Sequence, residues 1–141
     1  MQPIPILFVC IGNICRSPMA AGIAQKMYPE KVVVESAGID PYGDKAAPEA
    51  VEVMQREYCI DISRHQTQGV TSLSLGSFDY IIALDPYVFD HLKIYFQIAK
   101  EKLIKWDIDD PFTKDIDVFR ECARNIQACV TNTLDKIITL V

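Results

Sequence analysis

The sequence predicts an α/β fold, a single domain of three layers in which a four-stranded parallel sheet carries helices on both faces. Three observations lead there. Short apolar runs bounded by turn residues alternate with longer stretches whose apolar residues recur at helical spacing. The first run passes straight into a Gly-containing loop and a helix, as in sheets that bind ligands beyond the carboxyl ends of their strands. A length of 141 residues, half of them hydrophobic, suits one domain (1–141) with a sizeable core.

The elements follow in order. A first strand is expected near Ile4–Val9, an apolar run ending at Cys10. Helix one is expected near Pro18–Met27, because proline is tolerated in a first helical turn and small and apolar residues follow. The β-branched run Val32–Ser36 reads as strand two, and Pro48–Tyr58 as a helix with Val51, Met54 and Tyr58 on one face. Tyr80–Leu84 is the third strand, a short helix begins after Pro86, and a fourth strand is expected at Leu103–Trp106. The last helix, about Ile116–Leu140, lines up Ile116, Phe119, Ala123, Ile126, Val130, Leu134, Ile137 and Val141 in one stripe.

Composition narrows the function. A net charge of −5 argues against a nucleic-acid partner, which wants a basic face. No apolar run approaches the length of a membrane span, and Met1–Pro5 carries no basic region, so no membrane partner and a cytoplasmic location are expected. Five cysteines without secretory signs do not read as a disulfide framework. With no CxxC pair at metal-site spacing, neither a metal nor a cofactor is implied.

The chemistry concentrates in Cys10-Ile11-Gly12-Asn13-Ile14-Cys15-Arg16-Ser17-Pro18. In a strand–loop–helix turn, the amides of Ile11 through Ser17 and the helix's unpaired donors point into one concavity. Gly12 and Asn13 are expected to supply the positive-φ conformations that such a cradle needs. Arg16 adds a planar fork matched to a tetrahedral oxyanion. The same positive field favours the thiolate of Cys10, the nucleophilic form, and Ser17 is placed to hydrogen-bond it. A nucleophile at the floor of an anion cradle implies attack on phosphorus.

These residues resemble the signature of the low-molecular-weight protein tyrosine phosphatases, and the likeness covers nearly the whole chain. Ser36-Ala37-Gly38-Ile39, Asp79–Asp85 and Asp110-Pro111-Phe112 resemble further segments of that family. The resemblance implies strand order 2-1-3-4. It also implies hydrolysis of phosphotyrosine, in a protein or a small aryl phosphate, with inorganic phosphate as product. Cys10 is then the nucleophile, Arg16 the phosphate ligand and Asp110 the general acid, which returns as base for the water that clears a phosphocysteine. On residues alone Asp110 is equally an acidic turn, since Asp-Pro is ordinary turn chemistry. Pro111 biases Asp110 toward extended backbone. The resemblance further implies that Ser36 and His65 fix Asn13, and that Ile11, Tyr42 and Phe112 form an aromatic-binding rim. It implies too that Cys15 can form a protective disulfide with Cys10. The sequence departs from the family at Thr113, where a second aromatic or glycine is common, and at Gln66 and Gln68, where arginines are frequent.

Two other functions fit the same loop. An arsenate reductase would need two further relay cysteines. Cys122 and Cys129 lie two helical turns apart, about 10 Å by rise per residue, too far for a disulfide. Leu84-Asp85-Pro86-Tyr87 holds no cysteine, and Cys59, Cys122 and Cys129 read as core. His91 reads as a surface residue. A catalytically silent phosphate-binding module would have a damaged nucleophile or acid, whereas Cys10, Arg16 and Asp110 are all present.

Overall fold

The computed structural model describes residues 2–140. Its elements are β1 (Ile4–Cys10), α1 (Arg16–Met27), β2 (Val32–Gly38), α2 (Pro48–Tyr58), β3 (Tyr80–Ala83), α3 (Pro86–Phe96), β4 (Leu103–Lys105) and α4 (Ile116–Thr139). The strands pair in parallel in the order β2-β1-β3-β4. β1 is the organising strand because it carries no charge and is covered on both faces. Its alternate residues Ile6, Phe8 and Cys10 enter the larger apolar cluster, with Met19 and Ile23 of α1 and Ala123 and Ile126 of α4. Leu7 and Val9 enter a smaller cluster on the other face, with Val88 and Leu92 of α3. The chain leaves β1 for β2 on one flank and returns to β3 on the other, so strand order reverses at β1. The carboxyl end of β1 is therefore the topological switch point.

The stripe on α4 is buried from Phe119 to Ile137, with Ile116 half-buried at its start; Val141 lies outside the described residues. Asp115 caps that helix, its Oδ1 accepting from the Val118 amide at 3.2 Å. Several expectations need correction. α1 begins at Arg16, two residues before Pro18, because an N–H at the third helical position has no intrahelical acceptor and proline forfeits nothing there. β2 continues to Gly38, in register with Cys10. The buried face of α2 is Ala50, Val53 and Met54, with Val51 and Tyr58 half-buried. Cys59 is exposed and not core: it ends α2 in the left-handed conformation (φ 55°), its amide bonded to the Met54 carbonyl. Cys122 is buried and Cys129 half-buried. His91 is half-buried, its ring 4.8 Å from that of Tyr95.

Gly38 shows how closely β2 approaches the loop after β1. A Cβ at this position would lie 2.5 Å from the Ile11 carbonyl oxygen and 3.0 Å from the Asn13 nitrogen. Both are backbone atoms of the loop and cannot swing aside. Gly38→Ala is expected to lower the unfolding free energy by about 2 kcal/mol, measured by urea denaturation, as overpacking of a closed site does.

Candidate functional site

Cys10 is the last residue of β1, and the next five peptides curl around its sulfur. The cause lies in where their carbonyls go. Those of Cys10, Ile11, Gly12 and Ile14 accept from the amides of Ile39 (3.0 Å), Asp40 (2.9 Å), Tyr42 (3.0 Å) and Ala47 (2.8 Å). The Asn13 carbonyl accepts from His65 Nε2 at 2.7 Å. A trans peptide points its N–H opposite its carbonyl, so five outward carbonyls turn the amides of residues 11–15 inward. The first turn of α1 continues this nest, a ready setting for a tetrahedral anion. Asn13 makes the left-handed turn alone (φ 60°). Gly12 stays out of the left-handed region and serves by its small size, since a Cβ there would meet Tyr42 Cβ at 3.3 Å.

Asn13 is fully buried and ties the loop together. Its Nδ2 donates to Ser17 Oγ (2.8 Å) and Ser36 Oγ (3.0 Å), and its Oδ1 accepts from the Gln68 amide (3.0 Å). Ser17 Oγ stands 2.9 Å from Cys10 Sγ, and the Asn13 N–H reaches the same sulfur at 3.3 Å. Because Ser17 already accepts from Asn13, its own hydrogen is available for the sulfur; the other acceptor in reach, the Ala37 carbonyl, is farther at 3.4 Å. Two donors aimed at one sulfur solvate a thiolate. His65 is half-buried, and burial pushes its pKa below the ordinary 6.5 against the opposing pull of the Asn13 carbonyl. The ring that holds the loop is thus neutral and protonated at Nε2. Its contribution is full above pH 6.5 and is lost as pH falls through the lower value of the folded chain.

Arg16 is only 2% exposed. Its Nη1 donates to Asp85 Oδ2 and to the Ile108 carbonyl, both at 2.7 Å, which aims the rest of the guanidinium at the cleft. Burial works against its charge, but the Cys10 sulfur and Asp85 outweigh that and hold it cationic. Asp110 lies across the cleft, its Oδ2 3.6 Å from Arg16 Nη2, an ion-pair contact longer than a hydrogen bond. Its Oδ1 accepts from the Phe112 amide at 3.1 Å. The rings of Tyr42 and Phe112 meet edge to face, 5.5 Å between centroids, over a cleft of about 160 Å³ floored by Cys10 and also lined by Ile11, Ile14 and Arg16. Cys15 immediately precedes α1 without capping it through its side chain, and is buried against the cleft; that burial first, then the negative groups at Asp110 and Cys10, pushes its thiol up and keeps it protonated.

The structure brings Cys10, Ile11, Gly12, Ile14, Cys15, Arg16, Tyr42, Asp110 and Phe112 to one cleft and sets Asn13, Ser17, Ser36 and His65 outside its lining, bracing the loop. It adds two with no role assigned from the sequence, Asp85 and Asp40, and gives a role to a third, Gln68. Asp85 both caps α3, accepting from the Val88 amide at 2.8 Å, and anchors Arg16; its signal was an Asp-Pro at a strand exit. Asp40 places a second carboxylate on the cleft wall. Gln68, noted in the sequence only as a departure from the family pattern, binds the loop through its amide and the Ser36 carbonyl through Nε2 (3.0 Å). Among the described residues no three His, Cys, Asp or Glu side chains are grouped to hold a metal ion.

Residues 5–139 match the family model described as low molecular weight phosphotyrosine protein phosphatase. The chain is 33% identical over 138 residues to a low molecular weight protein-tyrosine-phosphatase of Acinetobacter johnsonii, covering 94% of this chain and 96% of that one. It is 32% identical over 127 residues to an arsenate reductase of Staphylococcus xylosus, covering 90% and 93%. Its fold matches the crystal structure of a low molecular weight protein tyrosine phosphatase from T. tengcongensis with a TM-score of 0.87 and 30% identity, over 94% of this chain and 99% of that one.

Asp85→Asn keeps the helix cap but removes the charge that steadies Arg16. Affinity for inorganic phosphate, measured by calorimetry, is expected to fall about tenfold, the worth of a charge-assisted hydrogen bond.

Proposed function

The chain belongs to the low molecular weight phosphotyrosine protein phosphatase family, and on that premise we propose that it hydrolyses phosphotyrosine and related aryl phosphates through a phosphocysteine. One observation carries the reading: Cys10 Sγ faces two hydrogen-bond donors at the floor of a nest of inward amides, with a buried, cationic Arg16 beside it. The phosphoryl group sits in the nest, its equatorial oxygens on the amides of residues 11–15 and on Arg16. Cys10 attacks phosphorus in line, the P–O bond breaks, and Asp110 gives its proton to the departing phenol oxygen. Water then attacks the phosphocysteine while Asp110 takes a proton back, releasing inorganic phosphate. The donors act most strongly on the transition state, where charge spreads over the equatorial oxygens. The Tyr42–Phe112 pair and Ile11 take the aryl ring. Function through a free thiol belongs in a reducing compartment, consistent with a cytoplasmic site of action.

Arsenate reduction is the second reading, because arsenate reductases are among the relatives. The cysteines speak against it. Cys122 donates to the Asp109 carbonyl (3.8 Å), and burial pushes its thiol up to about 12. Cys129 lies two turns away on the same helix, and a relay thiol must ionise and reach its partner. Arsenate-dependent thiol oxidation, assayed beside aryl-phosphate hydrolysis, separates the two activities.

Cys10→Ser is expected to abolish turnover of p-nitrophenyl phosphate while retaining phosphate binding; substantial residual turnover would remove the covalent mechanism. Asp110→Asn is expected to lower kcat about 100-fold on phenyl phosphate and less on p-nitrophenyl phosphate, whose leaving group needs little protonation. Mild peroxide should convert Cys10 to a sulfenic acid that Cys15 captures with loss of water. Peptide mapping should then show a Cys10–Cys15 linkage, and its absence would end the protective role assigned to Cys15.

A further inference from the structure

We infer that a second cleft, joined to the first through Ile14, Tyr42 and Phe112, seats an apolar side chain flanking the phosphotyrosine of a peptide substrate; the inference rests on the phosphatase reading above. Size makes the first argument. The cleft over Cys10 holds about 160 Å³, below the range of about 300–1,000 Å³ usual for drug-sized ligands, so it takes the phosphoryl group and its ring and little else. The rest of a peptide must lie outside it. The second cleft, about 300 Å³, adjoins the first through the residues that line both.

Its lining makes the second argument. The walls are Ala46, Ala47, Pro48 and Phe119, and the charged residues at its edge, Lys45 and Glu49, are opposite in sign. Such a cleft rewards an apolar side chain and offers no net charge to an acidic or basic one. On the phosphate side Asp40 and Asp110 add carboxylates, which repel an acidic neighbour. The two clefts are also held in register: the Ala47 amide donates to the Ile14 carbonyl at 2.8 Å, so the wall of one is bonded to the loop of the other.

Strain makes the third. Thr113 lines the second cleft with φ 69°, a left-handed conformation that a β-branched residue avoids. Strain of this kind persists where surrounding contacts fix it and gathers at ligand-contacting segments. Here the turn is held by the Phe112 amide on Asp110 Oδ1 and by the Lys114 amide on the Pro111 carbonyl at 2.9 Å. It keeps Phe112 41% exposed against Tyr42, itself 62% exposed, as a ridge of two wet aromatic rings between the clefts. A peptide crossing that ridge would cover both.

The test is a series of phosphotyrosine peptides identical but for one flanking residue, Leu, Ala, Gly or Asp, assayed beside p-nitrophenyl phosphate. The expected order of kcat/KM is Leu over Ala over Gly over Asp at the favoured flank, with Leu about tenfold above Gly. Ala46→Phe, which fills the cleft, is expected to cut the ratio of Leu-peptide to p-nitrophenyl phosphate kcat/KM about tenfold. A flat series on the natural chain, or a Leu preference that survives Ala46→Phe, overturns the subsite. Should Ala46→Phe not fold, the series on the natural chain decides alone. Dissociation constants of the same peptides on the Cys10→Ser chain read the preference without turnover: the same order supports the subsite, and equal affinities sink it. Failure to hydrolyse even p-nitrophenyl phosphate would instead fall on the phosphatase reading.

Discussion

Asn13 spends every polar atom it has on the geometry of the loop. Its amide faces the Cys10 sulfur, its carbonyl takes the His65 ring, its Oδ1 takes the Gln68 amide, and its Nδ2 reaches Ser17 and Ser36. All of this happens at zero exposure, where each group left unpaired would cost about 1–3 kcal/mol. That penalty locks the left-handed turn at Asn13, and the turn sends the neighbouring carbonyls outward. Inward amides, and with them a place for an oxyanion above the sulfur, are the consequence.

The second constraint is a buried cation. A guanidinium at 2% exposure is tolerable only with partners, and Asp85 and the Ile108 carbonyl supply them from β3's exit and the loop after β4. The same two bonds consume Nη1 and leave the other edge of the fork for the cleft. Arg16 therefore couples the phosphate loop to two distant segments, and the site is assembled from the carboxyl ends of β1, β3 and β4 together. Asp110 approaches from the segment after β4 and touches Arg16 without a hydrogen bond, as suits the acid role proposed for it.

Much of this was legible in residue order. The strand–loop–helix around Cys10 and the stripe on α4 are local patterns, and local patterns survive folding when one face is buried. Cys59 misled because a small apolar residue is usually core, whereas the end of α2 required a left-handed cap whatever the residue type. The role of Gln68 was not legible for a related reason: its work is done mainly by a backbone amide, which side-chain identity does not reveal.

By itself the sequence determined the parallel α/β architecture, the cysteine at the end of the first strand and the basic fork six residues on, because each depends on neighbours within one turn or one strand. Only the tertiary structure decided what meets them: Asp85 on Arg16, His65 and Gln68 on Asn13, Gly38 against Ile11, and the two clefts divided by Tyr42 and Phe112. Those contacts join residues separated by tens of positions. Their geometry is set by strand register and helix packing, which no short stretch of sequence encodes.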